Sequence, residues 1–336
     1  MKNLKKKNDF IFIFQMDSSF QFTLTNYDII KIIGTGAFGK VYFILNKKTK
    51  QPYALKAQKK NQIIKANQTG HVYSEYNVLK EINNTFLIKL HEFIQDNKYI
   101  YFVIDYIPGG ELFTLMRTEI NFTEKNTQFY VAQLIEALNY LHIKKIIYRD
   151  IKPENILLDS NGYIKLTDFG VSKKLLNNFT NTLCGTPTYT APEIILKKNY
   201  TFSSDWWSLG ILTYEMIVGI DPWDENDPFQ IYEKIKIGKI FFPKNMDKKV
   251  KSFIQHLLIG DPEKRMGSNF INGKNDIYYH KWFKDFNWES LLNKSMIAWH
   301  IPKVKKNNDT SNYKEYSDSE SDVEEIENDN DPFLNW

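Results

Sequence analysis

Two short stretches decide the fold and the chemistry: YRDIKPEN at residues 148–155 and TDFG at residues 167–170. The first holds a carboxylate, a lysine and an amide, and the second adds another carboxylate beyond a short hairpin. These four side chains are Asp150, Lys152, Asn155 and Asp168. A polar loop with capping residues would account for any one of them, but not for all four in this order. The pattern predicts a hydroxyl-orienting base beside oxygen ligands for magnesium.

A glycine-rich turn follows the first predicted strand, in the sequence GTGAFGKV at residues 34–41. Gly34, Gly36 and Gly39 lack a Cβ atom, so the backbone there can approach phosphate oxygens closely and point N–H groups at them. A dinucleotide-binding turn would lead into a helix, whereas residues 40–45 (KVYFIL) are typical of a second strand. We therefore expect a hairpin whose turn covers phosphate groups.

The next strand carries Lys56, in the sequence YALK at residues 53–56. An inward-facing ammonium group is costly to bury unless it is paired, and Glu75 on the following predicted helix is the candidate partner. Taken alone, each side chain is more often exposed at the surface. The spacing of Lys56 from the glycine turn favours the pair.

The strand-rich and helix-rich parts of the chain meet near residues 105–110. Residues 27–106 contain segments rich in β-branched and aromatic residues, interrupted by one helical stripe over residues 72–82. Apolar residues then recur at helical spacing in residues 125–143, 206–218 and 250–258. The pattern predicts an α+β, bilobal fold: a small β-rich lobe with one main helix, a larger helical lobe, and a ligand cleft between them.

Composition excludes several other classes of protein. The chain has 336 residues, 42% apolar and 25% charged, which is ordinary for a soluble globular protein. Its one cysteine, Cys184, excludes an intrachain disulfide and a cysteine-rich zinc site. A single thiol fits a reducing compartment, and we expect the cytoplasm, with the nucleus as a second location. The apolar run FIFIF at residues 10–14 is too short to span a membrane.

Charge is unevenly distributed. The net charge is +4, but residues 307–336 carry −9, so residues 1–306 carry +13. Lysines of the basic part are scattered rather than arranged in a stripe, so we expect an anionic cofactor rather than nucleic acid. The acidic segment alone is typical of a solvated tail.

Together these motifs resemble those of the eukaryotic protein kinase family. The YRD form of the catalytic loop, the sequence TLCGTP at residues 182–187 and the acidic, aromatic-ended tail are similar to the AGC group, and within it to the catalytic subunits of cAMP-dependent protein kinase. The resemblance divides the chain into an N-terminal extension (1–26), a protein kinase domain (27–283, with the N-lobe at about 27–106 and the C-lobe at about 107–283) and an AGC-type C-terminal tail (284–336).

The resemblance implies that ATP and Mg²⁺ are the cofactors. Asp150 would orient the substrate hydroxyl, and Lys152 would neutralise the γ-phosphate. Asn155 and Asp168 would hold the magnesium ions.

The resemblance also implies a nucleotide site in the cleft. Lys56 would hold the α- and β-phosphates and pair with Glu75. The remaining matching residues are Gly34, Gly36, Gly39, Val41, Ala54, Ile107, Leu157 and the tail residue Tyr313, with Ile104 as gatekeeper. Each apolar member is also compatible with ordinary core packing.

Thr182 resembles the activation-loop phosphorylation site, which an upstream kinase would modify. A phosphate adds about −1.5 to −2 charges. It would be bound by Arg149, Lys173 and His71, which would order the loop. Two further sets match structural positions of the family: a spine of Leu79, Leu90, Tyr148 and Phe169, and an ion pair of Glu193 with Arg265.

Substrate preference follows from three acids at positions that bind arginine upstream of the target residue in the family. These acids are Glu111, Glu154 and Glu215. The resemblance implies protein substrates with arginine before a Ser or Thr, since carboxylate and guanidinium form strong bidentate pairs. Lys152 beside Asp150 favours Ser or Thr over Tyr as acceptor.

Some positions depart from the family. Thr188 and Thr190 replace the usual Glu and Leu, which changes the basic contact and the apolar pocket expected after the target residue. Asn181 stands where the nearest relatives have a tryptophan that docks a cyclic-nucleotide-binding regulatory subunit, whereas Tyr232 matches the other docking aromatic. Such a subunit is therefore an expected partner with a weakened contact.

The sequence FLNW at residues 333–336 is similar to the FxxF end that AGC kinases insert into the small lobe. Docking there would hold the helix that carries Glu75; two exposed aromatic residues are the alternative. Three serines among the tail acids are candidate phosphorylation sites: Ser317, Ser319 and Ser321.

Two other functions remain open. A pseudokinase scaffold would act only by binding, but it usually lacks Lys56, Asp150 or Asp168, and all three are present. A cGMP-dependent-kinase-like chain would carry nucleotide-binding domains, for which 336 residues leave no room.

Overall fold

The computed structural model describes residues 24–118, 122–175, 179–268, 273–306, 308–316, 331–334 and 336. A five-stranded antiparallel sheet forms the small lobe. Its strands are β1 (Tyr27–Gly36), β2 (Gly39–Asn46), β3 (Pro52–Lys59), β4 (Leu90–Gln95) and β5 (Tyr99–Asp105), in the order β1-β2-β3-β5-β4. Two short hairpin-like pairs lie in the large lobe: β6 (Ile146–Ile147) with β9 (Lys173–Lys174), and β7 (Ile156–Leu158) with β8 (Ile164–Leu166).

Helices dominate the chain after β5. The small lobe has α1 (Lys60–Lys65) and α2 (Thr69–Glu81). The large lobe has α3 (Leu112–Thr118), α4 (Glu124–Ile143), α5 (Pro192–Ile195), α6 (Ser203–Val218), α7 (Pro228–Ile237), α8 (Lys248–Leu257), α9 (Gly273–Tyr278) and α10 (Trp288–Leu292). The predicted α+β, bilobal fold is confirmed.

The strongest sequence patterns gave the correct elements. The stripes at residues 125–143 and 206–218 correspond to α4 and α6, which are buried on nearly every side and form the centre of the large lobe. The prediction of one small-lobe helix was incomplete, because α1 precedes α2. Only Lys60 and Ile63 of its six residues are buried, so the helix is too short to show a periodic apolar stripe.

The sheet of the small lobe has two apolar faces. Alternation along β3 directs Ala54 and Lys56 toward the cleft and Leu55 toward the opposite side. The cleft-side face packs against α2 and the large lobe, and the hinge after β5 joins the two lobes. The same alternation therefore separates the nucleotide-side residues from a second apolar surface, which we call the outer face.

Candidate active site

Lys56 lies between two acids that come from different parts of the chain. Its Nζ is 2.6 Å from Glu75 Oε1 on α2 and 3.4 Å from Asp168 Oδ1, beyond β8. Glu75 is 3% exposed, whereas Asp168 is half exposed because it lines an open cavity. The predicted pairing of Lys56 with Glu75 is present, and Asp168 joins it.

The charges of this triad depend on one another. Burial alone would lower the pKa of Lys56, but the carboxylates of Glu75 and Asp168 outweigh it and raise that pKa above its ordinary value. The Lys56 ammonium group holds the pKa of Asp168 below its usual range. Burial raises the pKa of Glu75, against the attraction of Lys56. At neutral pH, Lys56 is therefore cationic and Asp168 anionic.

Asp150, Lys152 and Asn155 converge in the catalytic loop. Lys152 Nζ and Asn155 Nδ2 each lie 2.8 Å from Asp150 Oδ2. Asn155 also donates to the Asp150 backbone oxygen at 2.9 Å, which fixes the loop conformation. Because Asp150 accepts from two donors on one oxygen, its other oxygen is directed toward the activation segment.

Thr186 is a polar contact of the site that the sequence reasoning did not single out. Its hydroxyl donates to Asp150 Oδ1 at 2.9 Å and accepts from Lys152 Nζ at 3.1 Å. The Thr186 hydroxyl thus lies within hydrogen-bond distance of both catalytic-loop residues. Its position within TLCGTP, two residues after Cys184, was the available signal.

Asp205 at the start of α6 is a second residue that the sequence reasoning missed. Its carboxylate is fully buried and accepts hydrogen bonds from the backbone N–H groups of Tyr148 at 3.0 Å and Arg149 at 2.8 Å. It also contacts His142 Nε2 at 2.8 Å. Arg149 has a positive φ of 74°, a strained conformation that these bonds hold in place. An acid directly before two tryptophans in an otherwise apolar helix was the sequence signal.

A cavity of about 470 Å³ opens between the lobes beside Lys56 and Asp168. Its lining includes every residue assigned to the nucleotide site. These residues are Gly34, Gly36, Gly39, Val41, Ala54, Lys56, Glu75, Ile107, Leu157 and Tyr313, together with Ile104, Glu154, Asn155 and Asp168. The mainly apolar walls and the charged end match the two parts of a nucleotide.

The three glycines of the turn differ in what requires them. A Cβ atom on Gly39 would lie 1.9 Å from the Ala57 backbone oxygen, so the packing of β2 on β3 demands glycine. A Cβ on Gly34 or Gly36 would meet nothing closer than 3.5 Å. The protein itself therefore leaves room at these two positions, which fits a turn kept open for a ligand's phosphates.

The donor set near Asp168 suits magnesium rather than a metal held by the protein alone. Across the parts of the chain that the structure describes, no three His, Cys, Asp or Glu side chains are grouped as a metal cage. Asn155 and Asp168 both line the cavity and offer oxygen ligands. Magnesium typically takes one or two protein oxygens and completes its shell with water and phosphate.

Basic side chains gather beside the activation segment. Burial lowers the pKa of His71, and the nearby charges of Arg149 and Lys173 lower it further, so these three side chains form one cluster. The half-buried Thr182 is held through its backbone oxygen, which accepts from Tyr200 at 2.6 Å. Arg149 also donates to that tyrosine hydroxyl, at 3.2 Å. The cluster and Thr182 are therefore linked through Tyr200.

The three acids assigned to substrate arginine do not share one environment. Burial raises the pKa of Glu111, and the nearby charge of Glu154 raises it further. Burial also raises the pKa of Glu215, which accepts from Tyr189 and from Arg117 Nη2, the latter at 3.3 Å. Glu154 thus acts on the charge of Glu111 near the hinge, while Glu215 already pairs with an arginine of the same chain.

The segment around Tyr313 crosses the hinge. Tyr313 donates to the Ile107 backbone oxygen, Asn312 Nδ2 donates to the Pro108 oxygen at 2.9 Å, and Tyr106 donates to the Asp309 oxygen. These bonds place the Tyr313 ring in the cavity wall, 5.8 Å from the Tyr106 ring. The tail residue thus reaches the predicted nucleotide site.

The end of the chain packs on the small lobe. Phe333 is fully buried, and the Trp336 ring lies 5.0 Å from Tyr73 and 6.5 Å from Tyr76, both on α2. Asp331 Oδ2 lies 2.5 Å from Lys60 Nζ, and both side chains are buried. The aromatic residues are therefore docked rather than exposed.

Other predicted contacts are also in place. Arg265 and Glu193 form a buried bidentate pair at 2.7 and 2.9 Å, and the Tyr148 and Phe169 rings are 5.4 Å apart in the core that also contains Leu79 and Leu90. Asn181 is exposed and Tyr232 is half buried. The hydroxyl of buried Thr190 donates to the Thr186 oxygen at 2.9 Å, and the Thr188 oxygen accepts from Trp223. Ser317, Ser319 and Ser321 lie outside the described residues.

Comparison with known proteins gives a consistent result. The protein kinase domain model matches residues 27–283. The chain is 44% identical over 302 residues to human "cAMP-dependent protein kinase catalytic subunit PRKX", covering 90% of this chain and 84% of that protein. It is 42% identical to Drosophila melanogaster "cAMP-dependent protein kinase catalytic subunit 3" (89% of this chain, 51% of that protein) and to mouse "cGMP-dependent protein kinase 2" (84% and 37%).

The chain therefore belongs to the protein kinase family. Within that family it is a serine/threonine kinase similar to the catalytic subunits of cAMP-dependent protein kinase. None of the described helices combines the length and apolar character needed to cross a membrane.

Proposed function

We propose that this chain transfers the γ-phosphoryl group of ATP, with Mg²⁺, to Ser or Thr residues that follow arginine in protein substrates. The observation that carries the proposal is the convergence of Lys56, Glu75 and Asp168 on one cavity, with Asp150, Lys152 and Asn155 beside it. Oxygen and ammonium groups in this arrangement can bind a triphosphate and orient a hydroxyl.

Each residue group has a separate task. Lys56, kept cationic by its two acids, would hold phosphate oxygens, and Glu75 would fix its direction. Asp168 and Asn155 would hold Mg²⁺, which when bound offsets the negative charge of the phosphates. Asp150 would accept the hydrogen bond of the substrate hydroxyl, in the place that Thr186 occupies here. Lys152, 2.8 Å from Asp150, would stabilise charge that develops beside it.

Substrate recognition and activation use the flanking groups. Glu111 and Glu154 near the hinge would pair with substrate arginine, since burial and the nearby charge of Glu154 disfavour an unpaired carboxylate at Glu111. Phosphorylation of Thr182 by another kinase would neutralise the cluster of Arg149, Lys173 and His71. A phosphate there would raise the pKa of His71, the reverse of its present shift.

The test is magnesium-dependent transfer to a peptide with two arginines before a serine. Asp168→Ala is expected to lower the rate by at least about 10²-fold, because it removes a metal ligand and the partner of Lys56. Asp276→Ala, an exposed acid on α9, is the matched control and retains the rate. Normal turnover of Asp168→Ala would refute the site assignment. ATP binding without transfer in the unmodified chain would favour the pseudokinase function instead.

We also propose that a cyclic-nucleotide-binding regulatory subunit inhibits this kinase. Tyr232 supports a contact on α7, while the exposed Asn181 offers less apolar area than a tryptophan would. Adding such a subunit should inhibit the chain, and cAMP should reverse that inhibition. Direct stimulation of the isolated chain by a cyclic nucleotide would contradict this proposal and favour the cGMP-kinase-like alternative.

A further inference from the structure

The lysines of the chain are scattered for the most part, but one segment of the large lobe concentrates them. Residues 234–251 run from the last turn of α7 into α8 and hold seven lysines and one acid, a net charge of +6. Residues 1–306 together carry +13, so nearly half of that charge lies in this short stretch. We call residues 236–249, most of which are exposed, the basic segment.

Most of these lysines have no role in the fold. Two of the seven form ion pairs, at 2.8 Å with Glu225 and at 2.7 Å with Glu233. Within the part of the chain that the structure describes, the other five pair with no acid: Lys239, Lys244, Lys248, Lys249 and Lys251. Lys248 and Lys249 lie in the first turn of α8, where the positive end of the helix dipole disfavours cations. Helix stability therefore does not account for these two charges.

Large apolar side chains are exposed beside the lysines. Ile237 is 73% exposed and Phe241 is 68% exposed, and their Cα atoms, four residues apart, lie within about 14 Å of each other. Ile240 and Phe242, on either side of Phe241, pack instead against the core of the large lobe. Lys239 Nζ lies 5.0 Å from the centre of the Phe241 ring, so positive charge and apolar area share one surface.

The core of the large lobe holds this surface in place. Tyr214, on the central helix α6, donates to the Phe241 backbone oxygen at 2.7 Å, and its ring lies 5.7 Å from the Phe242 ring. Lys251 Nζ on α8 is 5.2 Å from the centre of that same Phe242 ring. The backbone of Phe241 is thus fixed by packed neighbours on two helices, while its own side chain remains exposed.

This combination of groups matches the surface of an anionic bilayer. Lysines attract anionic head groups, and apolar side chains beside them enter the boundary between head groups and acyl chains. A nucleic acid would bind the lysines through its phosphates and leave Ile237 in water. A second copy of the segment would be repelled, because both copies carry the same charge. Lipid is therefore the occupant that uses both the lysines and the apolar residues.

We propose that the basic segment is a peripheral membrane-binding surface for anionic phospholipid, with Ile237 and Phe241 inserted between the head groups. The lysines of the segment that lack an acidic partner contact the phosphate and carboxylate groups of the lipid. No residue of the basic segment lines the cavity between the lobes. Lipid binding is therefore independent of phosphoryl transfer, and it concentrates the kinase beside substrates at the membrane.

The first test is cosedimentation of the full chain with phosphatidylcholine vesicles, with and without phosphatidylserine. Ile237→Asp/Phe241→Asp should lower the affinity for the anionic vesicles at least about tenfold. Ile143→Asp/Ile297→Asp adds the same two charges at other exposed isoleucines and should match the unmodified chain. Residues 1–23, which include four lysines, are the same in all three proteins. Equal binding by the two variants would overturn the proposal.

A second comparison tests the lysines. Lys248→Gln/Lys249→Gln should also lower the affinity for anionic vesicles at least about tenfold, since each lysine near such a surface contributes about fivefold. This variant should fold at least as stably, because two cations leave the positive end of α8. Lys47→Gln/Lys48→Gln, an exposed pair in the turn after β2, should bind as the unmodified chain does. If only the lysine variant bound weakly, the surface would suit an acidic macromolecule, and the lipid proposal would be overturned.

Hydrogen exchange of the unmodified chain locates the contact without any substitution. Anionic vesicles should slow exchange in the basic segment at least about tenfold and leave β3 and α4 unchanged. Slower exchange elsewhere but not in this segment would overturn the proposal. Transfer of phosphate to a soluble peptide should be equal in all of these proteins. Loss of vesicle binding with normal transfer would support the surface, whereas binding without transfer would count only against the proposed function.

Discussion

The two halves of the site are held in different ways. Asp205 fixes the catalytic loop, because its buried carboxylate accepts hydrogen bonds from two backbone N–H groups. The bidentate Glu193–Arg265 pair fixes the end of the activation segment. Lys56 is held by Asp168 and, more closely, by Glu75 on α2, a helix that packs against Trp336. The catalytic loop is therefore part of a rigid core, whereas the position of Lys56 depends on a helix at the periphery of the small lobe, α2.

Asp205→Ala removes the support of the catalytic loop and should cause the largest loss of activity and stability. It leaves two buried N–H groups without their acceptor and frees the strained Arg149. We expect kcat to fall roughly 10²-fold, because small misplacements of catalytic groups cost this much. The free energy of unfolding should fall by about 3 kcal/mol. Steady-state kinetics and thermal unfolding measure both, and KM for ATP should hardly change.

Asp205→Asn is the control for that prediction, since the amide keeps one acceptor oxygen and nearly the same volume. Its losses should lie between those of Asp205→Ala and the unmodified chain. If Asp205→Ala kept its full kcat, the loop would not depend on this carboxylate, and the proposed contrast between the halves would fail.

Glu75→Gln tests the adjustable half. The amide preserves the shape of the side chain but removes the charge that directs Lys56, so KM for ATP should rise roughly tenfold, equivalent to about 1.4 kcal/mol. Stability should fall by less than in Asp331→Ala described below, because Lys56 keeps Asp168 as a partner at 3.4 Å. Glu81→Gln on the same helix, which pairs with the partly exposed Lys174 and Lys144, is the control. An equal rise in KM for both variants would show that ATP binding responds to any change in α2 rather than to the Lys56–Glu75 pair.

Asp331→Ala tests whether the end of the chain supports α2. Lys60 would remain buried without its carboxylate, and we expect the free energy of unfolding to fall by about 3 kcal/mol. The effect on kcat/KM should be only severalfold, since Asp331 does not line the cavity. Lys60→Met/Asp331→Leu, which replaces the pair by apolar side chains, should recover the stability. Persistent destabilisation of that double variant would show that the ion pair itself is required.

The smallest effect is a pH dependence of substrate binding. Burial raises the pKa of Glu111 and of Glu215, so these acids take up protons at a higher pH than an ordinary glutamate. Arginine binds the ionised form, which is lost as the pH falls through the raised pKa. KM for an arginine-containing peptide should therefore rise severalfold in mildly acidic buffer. A peptide without arginine should show no such rise; an equal rise for both would contradict the assignment.

The candidate catalytic residues were easier to predict from the sequence than the residues that hold them in position. Asp150, Lys152, Asn155 and Asp168 lie close together in sequence, so their order alone indicated a site. Lys56 and Glu75 needed the glycine turn as a reference. Asp205 and Thr186 were missed because their contacts are with groups far away in the chain, which no local pattern records: backbone N–H groups for Asp205, and the side chains of Asp150 and Lys152 for Thr186. The helix α1 was missed because it is too short to show a periodic stripe, and the contact of Asp331 with Lys60 because the two residues are 271 positions apart.

Arg117 occupies Glu215 before any substrate arrives. A substrate arginine directed to this carboxylate would exchange one guanidinium for another, so the net gain of contacts there would be small. Glu111 and Glu154, which repel each other near the hinge, would gain more from an incoming cation. The preference for arginine in a peptide should therefore depend mainly on the two acids at the hinge. Shortening Arg117 would free Glu215, which would then add its own preference for a substrate arginine.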